Sequence, residues 1–169
     1  HRLVARALEV DPECLDALVL RALDLPDVER RLEALEQAVG VGQRQMEPFV
    51  ETAAGGLWQV LEARPFLRVC QALMFEYHSA GRVDRALEMA RSLLSLNSPD
   101  ELGARYPYWG WLLETGRDWE ALRSLRDFAR ENTAMYLYAR ALAEFRVRGV
   151  DEARPWRHLH PIPPAAELP

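Results

Sequence analysis

Tyr77-His78-Ser79-Ala80-Gly81-Arg82-Val83-Asp84-Arg85-Ala86-Leu87 and, 35 residues further on, Leu112-Leu113-Glu114-Thr115-Gly116-Arg117-Asp118-Trp119-Glu120-Ala121-Leu122 carry one pattern twice. In each copy a helical run meets a glycine able to take positive φ. An acid then opens the next helix, where its charge suits the helix N-terminus. An alanine five residues after the glycine lets that second helix approach the first closely. A weaker third copy, Phe145-Arg146-Val147-Arg148-Gly149-Val150-Asp151-Glu152-Ala153, has the alanine four residues after the glycine. Repetition at this period is the mark of stacked helix pairs.

Working outward, apolar residues recur at spacings of three and four almost everywhere, and no stretch alternates over a strand's length. Alanine, leucine, glutamate and arginine dominate, all good helix formers. The expected fold class is all-α, an α-solenoid of antiparallel helix pairs. Upstream, residues 6–12 read as the end of a second helix, residues 13–23 as a helix, and residues 27–39 as its partner, ending at Gly40 and Gly42. Residues 43–66 interrupt the period, with a short helix over 44–53, a Gly55-Gly56 hinge and a segment over 57–64 ahead of Pro65. Helices follow over 66–79 and 83–96, then a turn at 97–100 in which Ser98 would cap the next helix with Pro99 at its first position. That helix, 101–115, contains Pro107, so it is kinked there or begins near Arg105. Its partner spans 119–132, and a last first-position helix spans 133–148. Residues 1–154 thus form one repeat domain. Residues 155–169 hold five of the chain's eleven prolines and form an extended, partly polyproline II tail.

Helix–turn–helix units of about 34 residues with this pattern resemble the tetratricopeptide repeat family. Its signature positions fall on Leu73, Tyr77, Gly81, Ala86, Ala90 and Leu93 in one unit, with a turn proline at Pro99. In the next unit they fall on Tyr108, Trp109, Leu112, Gly116, Ala121, Leu125 and Phe128. Met74 and Trp109 stand where the family usually has glycine or alanine, so the repeats are divergent. The stretch Leu57-Trp58-Gln59-Val60-Leu61-Glu62-Ala63-Arg64-Pro65-Phe66-Leu67-Arg68 is similar to the segment preceding the repeats in a bacterial and plant group related to the suppression-of-tumorigenicity 7 family. Here Ala63 replaces that group's threonine, and the segment after Gly149 is shorter. The likeness covers residues 1–153.

Composition narrows the function classes. The 169 residues are 49% apolar, with a net charge of −5. They include 21 arginines, no lysine and one isoleucine, a bias that fits GC-rich coding. Acidic balance and dispersed arginines argue against a nucleic-acid groove. No apolar run reaches the roughly 20 residues that span a bilayer, and no polybasic patch suits a membrane surface. Two cysteines exclude a disulfide-dense scaffold. The chain opens at His1 without a signal-peptide pattern, which points to a cytoplasmic protein whose start cuts into a repeat.

Catalytic and metal chemistry find no footing. Cys70 reads as a small buried hydrophobe, and His78 lies two turns away, about 12 Å at 1.5 Å per residue, too far for a Cys–His pair. His158 and His160 lack companion ligands. Gly55-Gly56 lacks the strand and lysine of a phosphate loop. No catalytic residue, cofactor or metal is therefore assigned.

The aromatics carry the functional reading. Tyr108, Trp111 and Thr115 share one helical face and Trp109 and Leu112 another, so one set packs in the core and the other could line a recognition surface. The tetratricopeptide resemblance implies an inner surface lined by first helices. Its groove positions fall on Arg68, Gln71, Phe75 and His78, then Tyr106, Gly110 and Leu113, then Tyr136, Ala139 and Arg146. The clamp that family members use for a C-terminal carboxylate is missing, which favours a hydrophobic or proline-containing peptide. The expected function is a non-enzymatic scaffold or adaptor holding a peptide or protein segment on its concave face. The chain's own tail is one such ligand, in cis or from a neighbouring copy in a homo-oligomer. Two alternatives stand beside it: a self-association module whose aromatics are core, and a small-molecule or hydrolytic pocket near residues 55–66.

Overall fold

The structure, a computed structural model, describes residues 2–50 and 55–149. Among the described residues it is all-helical, with eight α-helices and no strand. These are α1 (Arg2–Val10), α2 (Leu15–Leu23), α3 (Val28–Val50), α4 (Arg64–Ser79), α5 (Val83–Leu96), α6 (Arg105–Glu114), α7 (Asp118–Asp127) and α8 (Ala134–Arg148). The chain divides into two compact units, His1–Arg105 and Tyr106–Pro169. The proline-rich tail lies outside the described residues.

In the first unit, α2, α3, α4 and α5 pack each on its neighbour, and α2 also touches α4. Arg31 Nε at the start of α3 donates to Glu76 Oε1 near the end of α4 at 2.6 Å. At the other end of α3, Arg44 Nη2 donates to Glu13 Oε1 ahead of α2 at 3.1 Å. So α3 runs antiparallel to both, and α2 and α4 run parallel. The core is built from Leu15, Leu32, Leu35, Leu67, Met74, Ala86 and Leu87, all buried.

The expected stop at Gly40 and Gly42 is corrected: α3 continues through both glycines and through Pro48. Glycine ends a helix only where the chain needs positive φ, and neither residue has it. Gly42 serves packing instead. A Cβ there would stand 2.4 Å from Phe66 Cδ2 and 3.2 Å from Leu15 Cδ1. The separate short helix over 44–53 is accordingly the end of α3, as far as the described residues reach.

The Gly55-Gly56 pair is pinned rather than free to swing. Gly56 forms a β-bridge with Asn97, and Ser98 N–H donates to Gly55 O at 2.7 Å. Two 3-10 turns, Leu57–Gln59 and Leu61–Ala63, then lead into α4, which has Pro65 in its first turn, where its missing N–H costs nothing.

The two copied turns match in detail. Gly81 and Gly116 both have φ +72. Gly81 N–H donates to His78 O at 2.9 Å and Arg82 N–H to Tyr77 O at 2.8 Å. The second turn repeats this, with Gly116 N–H to Leu113 O at 3.2 Å and Arg117 N–H to Leu112 O at 2.8 Å. This is the Schellman arrangement, and Ala86 and Ala121 are fully buried behind it.

The next helix starts differently from the Ser98–Pro99 expectation. Asp100, at φ +57, presents its carboxylate to Ala104 N–H at 2.7 Å and Arg105 N–H at 3.1 Å. It thus caps α6, which begins at Arg105 with Pro107 in its first turn. Burial pushes the Asp100 carboxyl above the usual range, against the opposing pull of those N–H donors and of Arg105.

In the second unit α7 ends at Asp127, five residues short of the expected 132, because residues 128–130 turn so that Phe128 meets Trp109, ring centroids 5.5 Å apart. Trp109 is 0% exposed. Its indole N–H donates to Ser124 Oγ at 3.1 Å, and Tyr106 and Tyr136 stand edge-on at 5.8 Å. Thr133 caps α8, its hydroxyl accepting from Tyr136 N–H at 3.3 Å.

Candidate functional site

The groove candidates separate by unit. On α4, Arg68, Gln71, Phe75 and His78 recur at three, four and three residues and share one face. Arg68 grips Asp16 of α2 with two hydrogen bonds, Nε to Oδ1 at 2.9 Å and Nη2 to Oδ2 at 2.6 Å. That hydrogen bond holds the Arg68 guanidinium charged even more firmly than usual. Gln71 Nε2 donates to Leu102 O at 2.9 Å, tying the segment ahead of α6 to α4. Phe75 is 46% exposed, and His78 is half-buried.

In the second unit the outcome differs. Tyr136 is 2% exposed and Leu113 is buried as well, so neither offers its side chain to a ligand. Arg146 Nη1 donates to Leu113 O at 2.7 Å and to Asp118 Oδ1 at 3.3 Å, so it links α8 to α6 and α7. Tyr106 is half-buried, and its hydroxyl donates to Glu131 Oε2 at 3.4 Å. A first-helix position therefore becomes interior when aromatic packing claims it, as Trp109 does for Tyr136.

The Asp16–Arg68 pair fixes the register between the parallel helices α2 and α4. Leu23 and Phe75 each lie seven residues past that pair, about 10 Å along either axis. Leu20, four residues past Asp16, falls on the same face of α2. Leu20, Leu23 and Phe75 are all exposed. The first unit thus shows an apolar stripe bounded at one end by an ion pair and on α4 by Gln71 and His78. Leu20 and Leu23 escaped sequence reasoning. A signal was there, since α2 reads Leu-Asp-Ala-Leu-Val-Leu-Arg-Ala-Leu and has more apolar residues than one buried stripe can use.

No protein-family model, curated protein or solved structure matches the chain.

Cys70 is buried, and burial pushes its thiol up to about 12, leaving it protonated and unreactive at neutral pH. No group of three or more potential ligand residues converges on a metal position among the described residues. A cleft of about 130 Å³ between α7 and α8, lined by Leu122, Leu125, Arg126, Arg140, Glu144 and Arg148, is smaller than ordinary ligand pockets. Within it Arg140 Nε already donates to Glu144 Oε1 at 3.1 Å. Among the described residues no helix is long and apolar enough to cross a membrane.

Proposed function

We propose that the chain is a tetratricopeptide-like α-solenoid acting as a non-enzymatic scaffold or adaptor. It binds an apolar peptide or protein segment across Leu20, Leu23 and Phe75 on the parallel helices α2 and α4. The observation that carries this reading is Phe75. Phe66, Met74 and Tyr77 of the same helix are buried, while Phe75 stands 46% exposed, level by helix register with two exposed leucines of α2. An aromatic flanked by aliphatic side chains and edged by arginine, glutamine and histidine has the composition of a binding hot spot with a polar rim. The duplicated glycine turn supports the repeat architecture, and stacked repeats leave an extended surface for such contacts. Arg68, Gln71 and His78 orient the bound segment. Leu113, Tyr136 and Arg146 maintain the second unit.

A peptide-display selection against the whole chain tests this. Apolar or proline-containing peptides are expected to be enriched. Phe75→Glu or Leu23→Glu is expected to weaken the selected peptides by about 30-fold, roughly a 2 kcal/mol hot spot. The thermal midpoint should stay within a degree or two of wild type, because both side chains are exposed. Undiminished binding by both variants would remove the assignment.

A further inference from the structure

α8 carries apolar side chains on two separate stripes. Tyr136, Ala139 and Ala143 are buried, whereas Met135, Tyr138, Leu142 and Phe145 are 39–59% exposed. The exposed four fall at i, i+3, i+7 and i+10 and line one face about 15 Å long. Aligned on the turn glycines Gly81, Gly116 and Gly149, Leu142 and Phe145 occupy the places of Met74 and Tyr77 in α4 and of Trp109 and Leu112 in α6. All four of those counterparts are buried. So are Leu67 and Cys70, the α4 counterparts of Met135 and Tyr138. In α4 the interior pattern is used, because α3 and α5 pack against the helix. In α8 the same pattern faces outward among the described residues.

The sequence that follows supplies a cover of another kind. Asp151 and Ala153 repeat the opening of α5 and α7, and Pro155, which has no N–H to donate to a helix, follows them. Beyond it, Trp156, Leu159 and Ile162 recur every third residue among Pro155, Pro161, Pro163 and Pro164. A polyproline II helix has three residues per turn and rises about 3.1 Å per residue, so these three side chains would form one apolar edge about 19 Å long. That edge is long enough to cover the whole α8 face. Trp156 lies seven residues past Gly149, a reach of up to about 23 Å, ample for the chain to turn back over Phe145. A second copy fits the face less well, since four side chains fall far short of the roughly 20–30 residues a side of a stable interface. A tethered segment needs much less contact because its effective concentration is in the millimolar range.

We propose that residues 155–162 bind in cis along the apolar face of α8, with Trp156 toward Phe145 and Ile162 toward Met135. Trypsin reads this directly in the whole chain. It cuts after Arg157, while Pro155 shields Arg154. Cleavage at Arg157 is expected to be at least tenfold slower than in a free peptide of residues 150–169. Leu142→Glu and Ile162→Asp should each restore the peptide's rate with helix content unchanged. Ile162→Asp leaves α8 itself unaltered, so its result does not depend on how α8 tolerates a charge. Equal rates in wild type and free peptide would overturn the proposal. Protection that vanishes on dilution together with a sedimenting dimer would overturn it too, in favour of exchange between copies. Neither measurement involves the α2–α4 stripe, so the outcome is independent of peptide binding there.

Discussion

The helices joined at Gly81 and those joined at Gly116 are connected by the same backbone turn, hydrogen bond for hydrogen bond, yet they enclose different chemistry. Behind the first, Tyr77 donates to Glu36 Oε1 of α3 at 2.6 Å and accepts from Arg85 Nη2 of α5 at 3.1 Å. Burial and the Glu36 carboxylate both push the Tyr77 phenol upward, so it stays neutral and continues to donate. Behind the second, Trp109 fills the space with Tyr106, Phe128 and Tyr136 around it. The turn is dictated by positive φ and two hydrogen bonds, which any glycine can meet. The interior has only to be filled, and it is filled in two ways.

Mutations can sharpen that contrast or break it. The largest effect is expected from Trp109→Ala, about 3–5 kcal/mol for removing a fully buried aromatic. Hydrogen exchange of the α7 and α8 amides checks it, and a loss below about 1 kcal/mol would mean that the aromatic cluster is not what holds α6–α8 together. Next comes the glycine that packs rather than turns. Gly42→Ala forces a Cβ into Phe66 and should cost about 1–3 kcal/mol. Gly40→Ala, two residues earlier and with nothing within 4 Å of its Cβ, should gain about 0.5–1 kcal/mol. Urea midpoints of the two variants should move in opposite directions. The last comparison tests the copied turn itself. Gly81→Ala and Gly116→Ala share φ +72 and open space around the new Cβ, so each should cost about 1 kcal/mol, and equally. Unequal costs would separate two turns that look alike.

These same residues show what could be read in the sequence. Turn glycines were legible because they recur with a trailing alanine. Gly42 was not, since a packing glycine and a helix-ending glycine carry the same letter and only Phe66, 24 positions away, distinguishes them. The cap of α6 was missed for a local reason. Ser98-Pro99 has the ordinary look of a helix start, but Asp100 can take positive φ and reach two N–H groups at once. At the candidate site, Phe75 and its neighbours were legible as a face of one helix. The leucines of α2 were not, because their place beside Phe75 depends on an ion pair between residues 52 positions apart. The repeat pattern places Tyr136 and Leu113 on the surface, but aromatic packing around Trp109 makes these first-helix positions of the second unit interior.

The neighbour-on-neighbour packing of α2 through α5 also has a kinetic side. Each of these helices finds its main partner in the next stretch of chain, and folds dominated by such local contacts form quickly. Assembly can therefore proceed helix by helix as the polypeptide is synthesised. The Asp16–Arg68 clasp must wait until α4 has emerged, so the surface that displays Phe75 beside Leu23 is completed only after the scaffold beneath it.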